Sequence, residues 1–136
     1  MSEGAAGRIV RRHTNERLAQ SVSCAPFVFL SGQVARETLG EGVEAQTREI
    51  LARIDTLLEE AGSDKGHIVQ ATIWVADVAD IPRMNAEWEA WIPSGAVPAR
   101  ATVQAVLARP AYRIEIALTA VSSRAPTEAV AGPGTS

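Results

Sequence analysis

The 136-residue sequence predicts a single α+β domain in which a six-stranded sheet carries two helices on one face. Three observations carry that prediction. Two segments repeat apolar residues at three- and four-residue steps, the signature of a helix with one buried stripe. Several short runs, the strongest rich in β-branched and aromatic residues, read as strands. The length suits one domain and is enough to bury a core without disulfide or metal staples.

The elements follow in order. Residues 1–7 are small and read as a flexible N-terminus. Arg8–Arg12 and Leu18–Ser23 are two weaker strand candidates, and Phe27-Val28-Phe29-Leu30-Ser31 is a short apolar strand running into Gly32. In Val43–Ala61, residues Val43, Thr47, Ile50, Leu51, Ile54, Leu58 and Ala61 form one helical stripe, and Gly62 supplies the stop. Glu44, Arg48, Arg53, Glu59 and Glu60 fall on or beside its wet side. Ile68–Val75 is the best strand in the chain. Asp80 then reads as an N-cap with Pro82 in the first turn, and Ile81, Met84, Trp88 and Trp91 continue at helical spacing until Pro93-Ser94-Gly95. Arg100–Val106 and Ile114–Val121 are the last strands. The domain thus spans 8–123, and residues 124–136, rich in Pro, Gly, Ala and Thr, read as a disordered tail.

Strand–helix–strand units imply parallel neighbours joined by right-handed crossovers. Both helices then cover one face of the sheet. The other face, apolar and uncovered, predicts self-association.

Composition excludes several function classes. The net charge of −3 gives no basic footprint for nucleic acid, and Arg11-Arg12 is too short for a basic patch. No apolar run approaches the ~20 residues of a membrane span. The N-terminus has no apolar signal region, which points to the cytoplasm. One cysteine, Cys24, rules out an internal disulfide and a cysteine-based zinc site, and reads as a small buried hydrophobe. His13 and His67 stand apart from any metal-ligand spacing and read as surface or loop residues. Trp88 and Trp91 read as helix packing, and Trp74 as facing the core or an interface between copies.

Two charged residues lie inside strands. Alternation puts Arg100, Thr102 and Gln104 on one face of the fifth strand. It sets Glu115 opposite Ile114, Ile116 and Leu118 on the sixth. A charge in such a strand is costly without a partner. The plain explanation is a cross-strand pair between Arg100 and Glu115. A hairpin folded about Arg109–Pro110 opposes that, because residue 100 would face roughly residue 119, leaving Glu115 ~13 Å away along the strand. Either the strands are not hairpin neighbours or the charges do not pair directly. Both outcomes leave Arg100 to anchor a small carboxylate-bearing molecule, with a structural ion pair at an interface as the competing reading.

Gly32-Gln33 after the apolar strand, Asn85 in Met84-Asn85-Ala86-Glu87-Trp88, Pro98-Ala99-Arg100 and Ile114-Glu115-Ile116 occur in this order and spacing. Together they resemble the reactive-intermediate deaminases, the RidA or YjgF-like family, over Leu18 to Ser122. The resemblance implies a chorismate-mutase-like fold with a mixed sheet, whose last strand runs antiparallel between the first and second core strands. It also implies a homotrimer with pockets between subunits, and hydrolysis of enamines and imines such as 2-aminoacrylate and 2-iminopropanoate to a 2-keto acid and ammonia, without cofactor or metal. In that reading Arg100 holds the substrate carboxylate and Glu115 orients or activates water. Ser31 and the Gly32 backbone line the pocket, with Asn85 at its rim. A tyrosine common in the family stands here as Leu18 and a cysteine as Thr102, both among the substrate-binding positions. The chain therefore resembles a divergent branch, with the change bearing on substrate and rate. Two alternatives remain: a non-catalytic sensor of 2-keto acids, which needs Arg100 but not Glu115, and a ribonuclease or translation inhibitor, against which the acidic balance argues.

Overall fold

The structure, a computed structural model, describes residues 7–124. The expected flexible N-terminus and tail lie outside the described residues except for Gly7 and Arg124. The elements are β1 (Ile9–Thr14), β2 (Ala19–Cys24), β3 (Phe27–Gln33), α1 (Val43–Glu60), β4 (Ile68–Val75), α2 (Ile81–Trp91), β5 (Ala99–Gln104) and β6 (Ile114–Val121), with 3-10 turns at Lys65–His67 and Val78–Asp80.

The sheet has six strands in the order β1-β2-β3-β6-β4-β5. β6 lies between β3 and β4 and is antiparallel to both, while β5 pairs parallel to β4. The expected insertion of the last strand is therefore present, and β4 and β5 are the expected parallel neighbours. β3 and β4 are not neighbours, which corrects the simpler strand–helix–strand reading. Local pattern fixes the crossover but not which later strand fills the gap.

Both helices pack on the face presented by Ile73, Val75, Ile114, Ile116 and Leu118, all buried. α1 contributes Ile50, Ile54 and Leu58, and α2 contributes Met84 and Trp88. α1 ends as Gly62 predicts. With φ of 82° at Gly62, the amide of Ser63 donates to Leu58 O at 2.9 Å and that of Gly62 to Glu59 O at 3.1 Å, a Schellman closure. Buried Gln46 ties α1 to the last loop, since its Nε2 donates to Ala111 O at 3.0 Å and its Oε1 accepts from Arg113 N at 2.9 Å.

Asp80 does not cap α2. It takes helical backbone angles at the end of the preceding 3-10 turn, which Asp77 caps instead. Its buried carboxylate accepts from Arg113 Nη2 at 2.7 Å and from Arg83 Nη2. That pair joins the start of α2 to the start of β6. Asp80→Ala leaves the guanidinium of Arg113, whose side chain is 40% exposed, without its partner and should destabilise the fold by about 1.5–3 kcal/mol. Urea melts of the variant check this; a loss under about 1 kcal/mol would assign the pair no structural weight. Cys24 is half-buried on the open face of the sheet and not in the core.

Candidate functional site

Register across the sheet places the two charged strand residues. Arg100 on β5 faces Ala71 on β4, which faces Leu118 on β6. Glu115 on β6 faces Trp74, which faces Val103. The two rows are three residues apart, roughly 10 Å along the strands, and an odd offset puts the side chains on opposite faces. Arg100 sits on the helix side at the β5 edge, and Glu115 on the open side. Both branches of the hairpin test hold: the strands are not neighbours, and within one chain the charges do not pair.

On the open face, Ser31, Gly32 and Glu115 come together. β3 carries a bulge between Leu30 and Gln33, so that Ser31 and Gly32 share the space opposite one β6 residue. A Cβ at position 32 would lie 1.9 Å from Glu115 Oε2 and 2.9 Å from its Cδ. What favours glycine here is the carboxylate lying over it, since the backbone of Gly32 is not in the left-handed region. Glu115 is half-buried and accepts no hydrogen bond from the described residues, and burial pushes its pKa above the ordinary carboxylate value. Ser31 Oγ donates a long bond to Gln20 O at 3.5 Å.

The loop behind this group is held by Glu49 of α1. Its carboxylate accepts from the amides of Arg36, Glu37 and Thr38, from Thr38 Oγ1 at 2.7 Å and from Arg53 Nη2 at 2.6 Å. Burial opposes its charge, but the hydrogen bonds outweigh burial and hold the pKa at about 2. The clamp is charged at any ordinary pH. Arg53, placed on the wet side of α1 by its spacing, is turned inward and also donates to Val34 O at 2.7 Å.

On the other side of β5, Arg100 and Asn85 come together. Arg100 Nη2 donates to Asn85 Oδ1 at 2.7 Å, and its guanidinium carbon stands 5.4 Å from the centre of the Trp88 ring. The residue is exposed overall, yet its guanidinium is partly desolvated there. Burial lowers its pKa and the charge of Glu89 opposes that shift. One arm of the fork is oriented by Asn85, and its other donors have no hydrogen-bond partner among the described residues. Thr102, on the same face of β5, buries an Oγ1 with no hydrogen-bond partner among the described residues. Helical spacing by itself reads Trp88 as packing. Its i,i+3 spacing from Asn85 on α2 was the available sign that both flank one arginine.

Leu18 closes the β1–β2 turn, its amide donating to Asn15 Oδ1 at 2.9 Å. It precedes β2, which is two strands from β6 and four from β5. It does not join Arg100 within one chain. His13 pairs with Glu60 and His67 with Asp64, each at 2.8 Å. Among the described residues no group of three or more His, Cys, Asp or Glu side chains is placed to hold a metal ion, and no helix is long and apolar enough to cross a membrane.

The candidate residues thus form two half-sites, Ser31-Gly32-Glu115 and Asn85-Arg100-Thr102. The open face around the first half-site exposes Phe27 at 45% and Phe29 at 43%.

Comparison with known proteins gives one consistent result. The family model described as Endoribonuclease L-PSP matches residues 9–122. A RutC family protein of Haemophilus influenzae is 39% identical over 94 residues, which is 69% of this chain and 81% of the relative. The RutC family protein YoaB of Escherichia coli K12 is 45% identical over 84 residues, 62% of this chain and 74% of the relative. The crystal structure of a YjgF family member from Neisseria meningitidis is 43% identical, with a TM-score of 0.79 over 88% of this chain and 98% of that one.

Proposed function

The chain belongs to the YjgF/RidA/RutC family, whose fold is chorismate-mutase-like, and from that premise we propose that it hydrolyses small enamine or imine acids of the 2-aminoacrylate/2-iminopropanoate type. The observation that carries this reading is Arg100, an oriented guanidinium with spare donors at a strand edge. No cofactor is needed for the chemistry. An iminium carbon is already electrophilic, so the protein has to fix the carboxylate and aim one water.

Arg100 binds the carboxylate through its free donors, and the Thr102 hydroxyl supplies a further hydrogen bond. Asn85 keeps the fork in place. Glu115, over Gly32, takes a proton from water as its oxygen bonds to the imine carbon. That proton passes to the nitrogen of the hydroxy-amine so formed; as the C–N bond breaks, the hydroxyl becomes the carbonyl and its proton leaves with the departing ammonia, giving a 2-keto acid and ammonium. Ser31 lines the pocket beside Glu115. Leu18, with no hydroxyl, offers an apolar wall to the substrate side chain.

The site works between copies. Arg100 and Glu115 face away from each other in one chain, so a second chain's open face must bring its Glu115 to the first chain's Arg100. The exposed Phe27 and Phe29 support burial of that face, and the assembly we propose is a homotrimer working in the cytoplasm.

Water attack needs Glu115 ionised. As pH falls through its raised pKa the carboxylate protonates, the base is lost and the rate falls. The acid limb of kcat/KM is therefore expected to follow Glu115, raised by burial within its own chain and drawn back by the second chain's Arg100. Glu115→Gln should lack that limb and run roughly a hundredfold slower or worse. Release of keto acid from freshly generated 2-iminopropanoate, followed across pH, checks both. A variant at the wild-type rate would remove Glu115 from the mechanism.

A second reading is favoured by one observation: Arg100 and Asn85 are assembled without Glu115. A 2-keto acid sensor needs only that half. Keto-acid binding that survives Glu115→Ala, in a protein that never turns over imines, would select it. RNA cleavage, the activity in the family model's description, gains no support from a chain of net charge −3.

A further inference from the structure

At the β1 edge of the sheet, on the face opposite the Ser31-Gly32-Glu115 group, an arginine is buried without full partnership. Arg12 is 4% exposed. Alternation puts Arg8, Val10 and Arg12 on the helix side of β1, since Arg12 faces Ser21 and Ser21 faces buried Leu30. Arg12 Nη1 donates to Ser23 Oγ at 2.9 Å, but Nε is buried with no acceptor among the described residues. Burial lowers the Arg12 pKa, and the charge of Glu60 opposes this from nearby. Glu60 does not close on Arg12 by hydrogen bond. Its Oε1 is held at 2.8 Å by His13 Nε2, and His13 takes a left-handed φ of 53° at a step that drops out of the β1–β2 ladder. Arg12 is therefore a buried cation whose nearest counter-charge is engaged elsewhere. Such an arrangement is costly unless an acceptor completes it.

Arg12 lines a cavity of about 210 Å³. Val10, Ala25 and Ala61 give it apolar walls, Ser23 and Ser122 add hydroxyls, and exposed Arg8 stands at its mouth.

We propose that this cavity is a second binding site, for a small organic monocarboxylate with an apolar body. The carboxylate meets Arg12, with Ser23 beside it and Arg8 adding attraction at the entrance. The aliphatic or aromatic part lies on Val10, Ala25 and Ala61. The apolar walls favour such an acid over inorganic phosphate, which would leave most of the lining unmatched. The site stands apart from the proposed reaction. β1 and β5 are opposite edges of the sheet, and Arg12 lies on the face away from Glu115.

Amide NMR titration of the full chain with hexanoate, benzoate and phosphate tests it. Millimolar hexanoate or benzoate should shift the amides of Val10, Ser23 and Ser122 in the wild type and equally in Arg100→Ala. Arg12→Gln should weaken the response roughly tenfold or more. Arg8 is exposed, so Arg8→Ala keeps the fold and should weaken binding several-fold even where Arg12→Gln fails to fold. No shift at these amides would mean that Arg12 is completed by water alone and would overturn the proposal. A response unchanged by both variants, or phosphate acting as strongly as hexanoate, would overturn it too.

Discussion

Replacing Arg100 with alanine is expected to abolish the acceleration of 2-iminopropanoate hydrolysis while leaving the fold intact. The side chain is at an exposed edge, so little core is lost. Its bond to Asn85 and its packing on Trp88 are local. A carboxylate deprived of its guanidinium partner loses about 2–5 kcal/mol of binding, roughly 30- to several-thousand-fold in kcat/KM. Arg100→Lys keeps the charge but not the planar fork, and should fall between the two. Pyruvate release measured beside the uncatalysed reaction checks this. Wild-type activity in Arg100→Ala would put the substrate carboxylate elsewhere.

The second large effect is expected at Gly32. Alanine there sets a Cβ 1.9 Å from Glu115 Oε2, which is impossible without movement. The atom struck is the end of a side chain on the open face, so the carboxylate gives way and the backbone does not. Gly32→Ala should therefore lower kcat about a hundredfold, the usual effect of moving a catalytic group by an ångström. Stability should change by less than about 1 kcal/mol. Combining it with Glu115→Ala should remove whatever stability penalty remains, because nothing is left to strike. A large loss of stability with kcat unchanged would make Gly32 a backbone requirement only.

These outcomes rest on contacts that were unequally visible in the amino-acid order. The helices were legible because a stripe of apolar residues and the stop at Gly62 are local signals. Ile68–Val75 and Ile114–Val121 were legible to the residue, the first from its β-branched and aromatic content and the second from its alternation. β3 runs on to Gln33, past the apolar run that ends at Ser31, because a bulge lets a polar stretch continue the strand. β5 was placed only to within two residues at its end. The position of β6 between β3 and β4 was not legible from pattern and came only with the family resemblance. Pairing between distant strands leaves no local trace.

The site divides the same way. Arg100 and Glu115 stood out as charges inside strands, but only the register through β4 places them on opposite faces. Besides the packing of Arg100 on Trp88, two contacts were missed. The collision that forces glycine at 32 depends on how β3 and β6 align. Asp80 looked like a cap from its place before Pro82, but a buried carboxylate with two arginines in reach is better satisfied by them than by one amide.

The central claim is that one working site takes Arg100 from one chain and Glu115 from another. Mixing the two inactive variants tests it directly. Arg100→Ala and Glu115→Gln are unfolded, combined in equal amounts and refolded together, then assayed on 2-iminopropanoate. In a cyclic assembly with random mixing, about a quarter of the interfaces carry both native residues, so about a quarter of wild-type activity should return. Activity no greater than the sum of the two variants refolded alone would contradict the account.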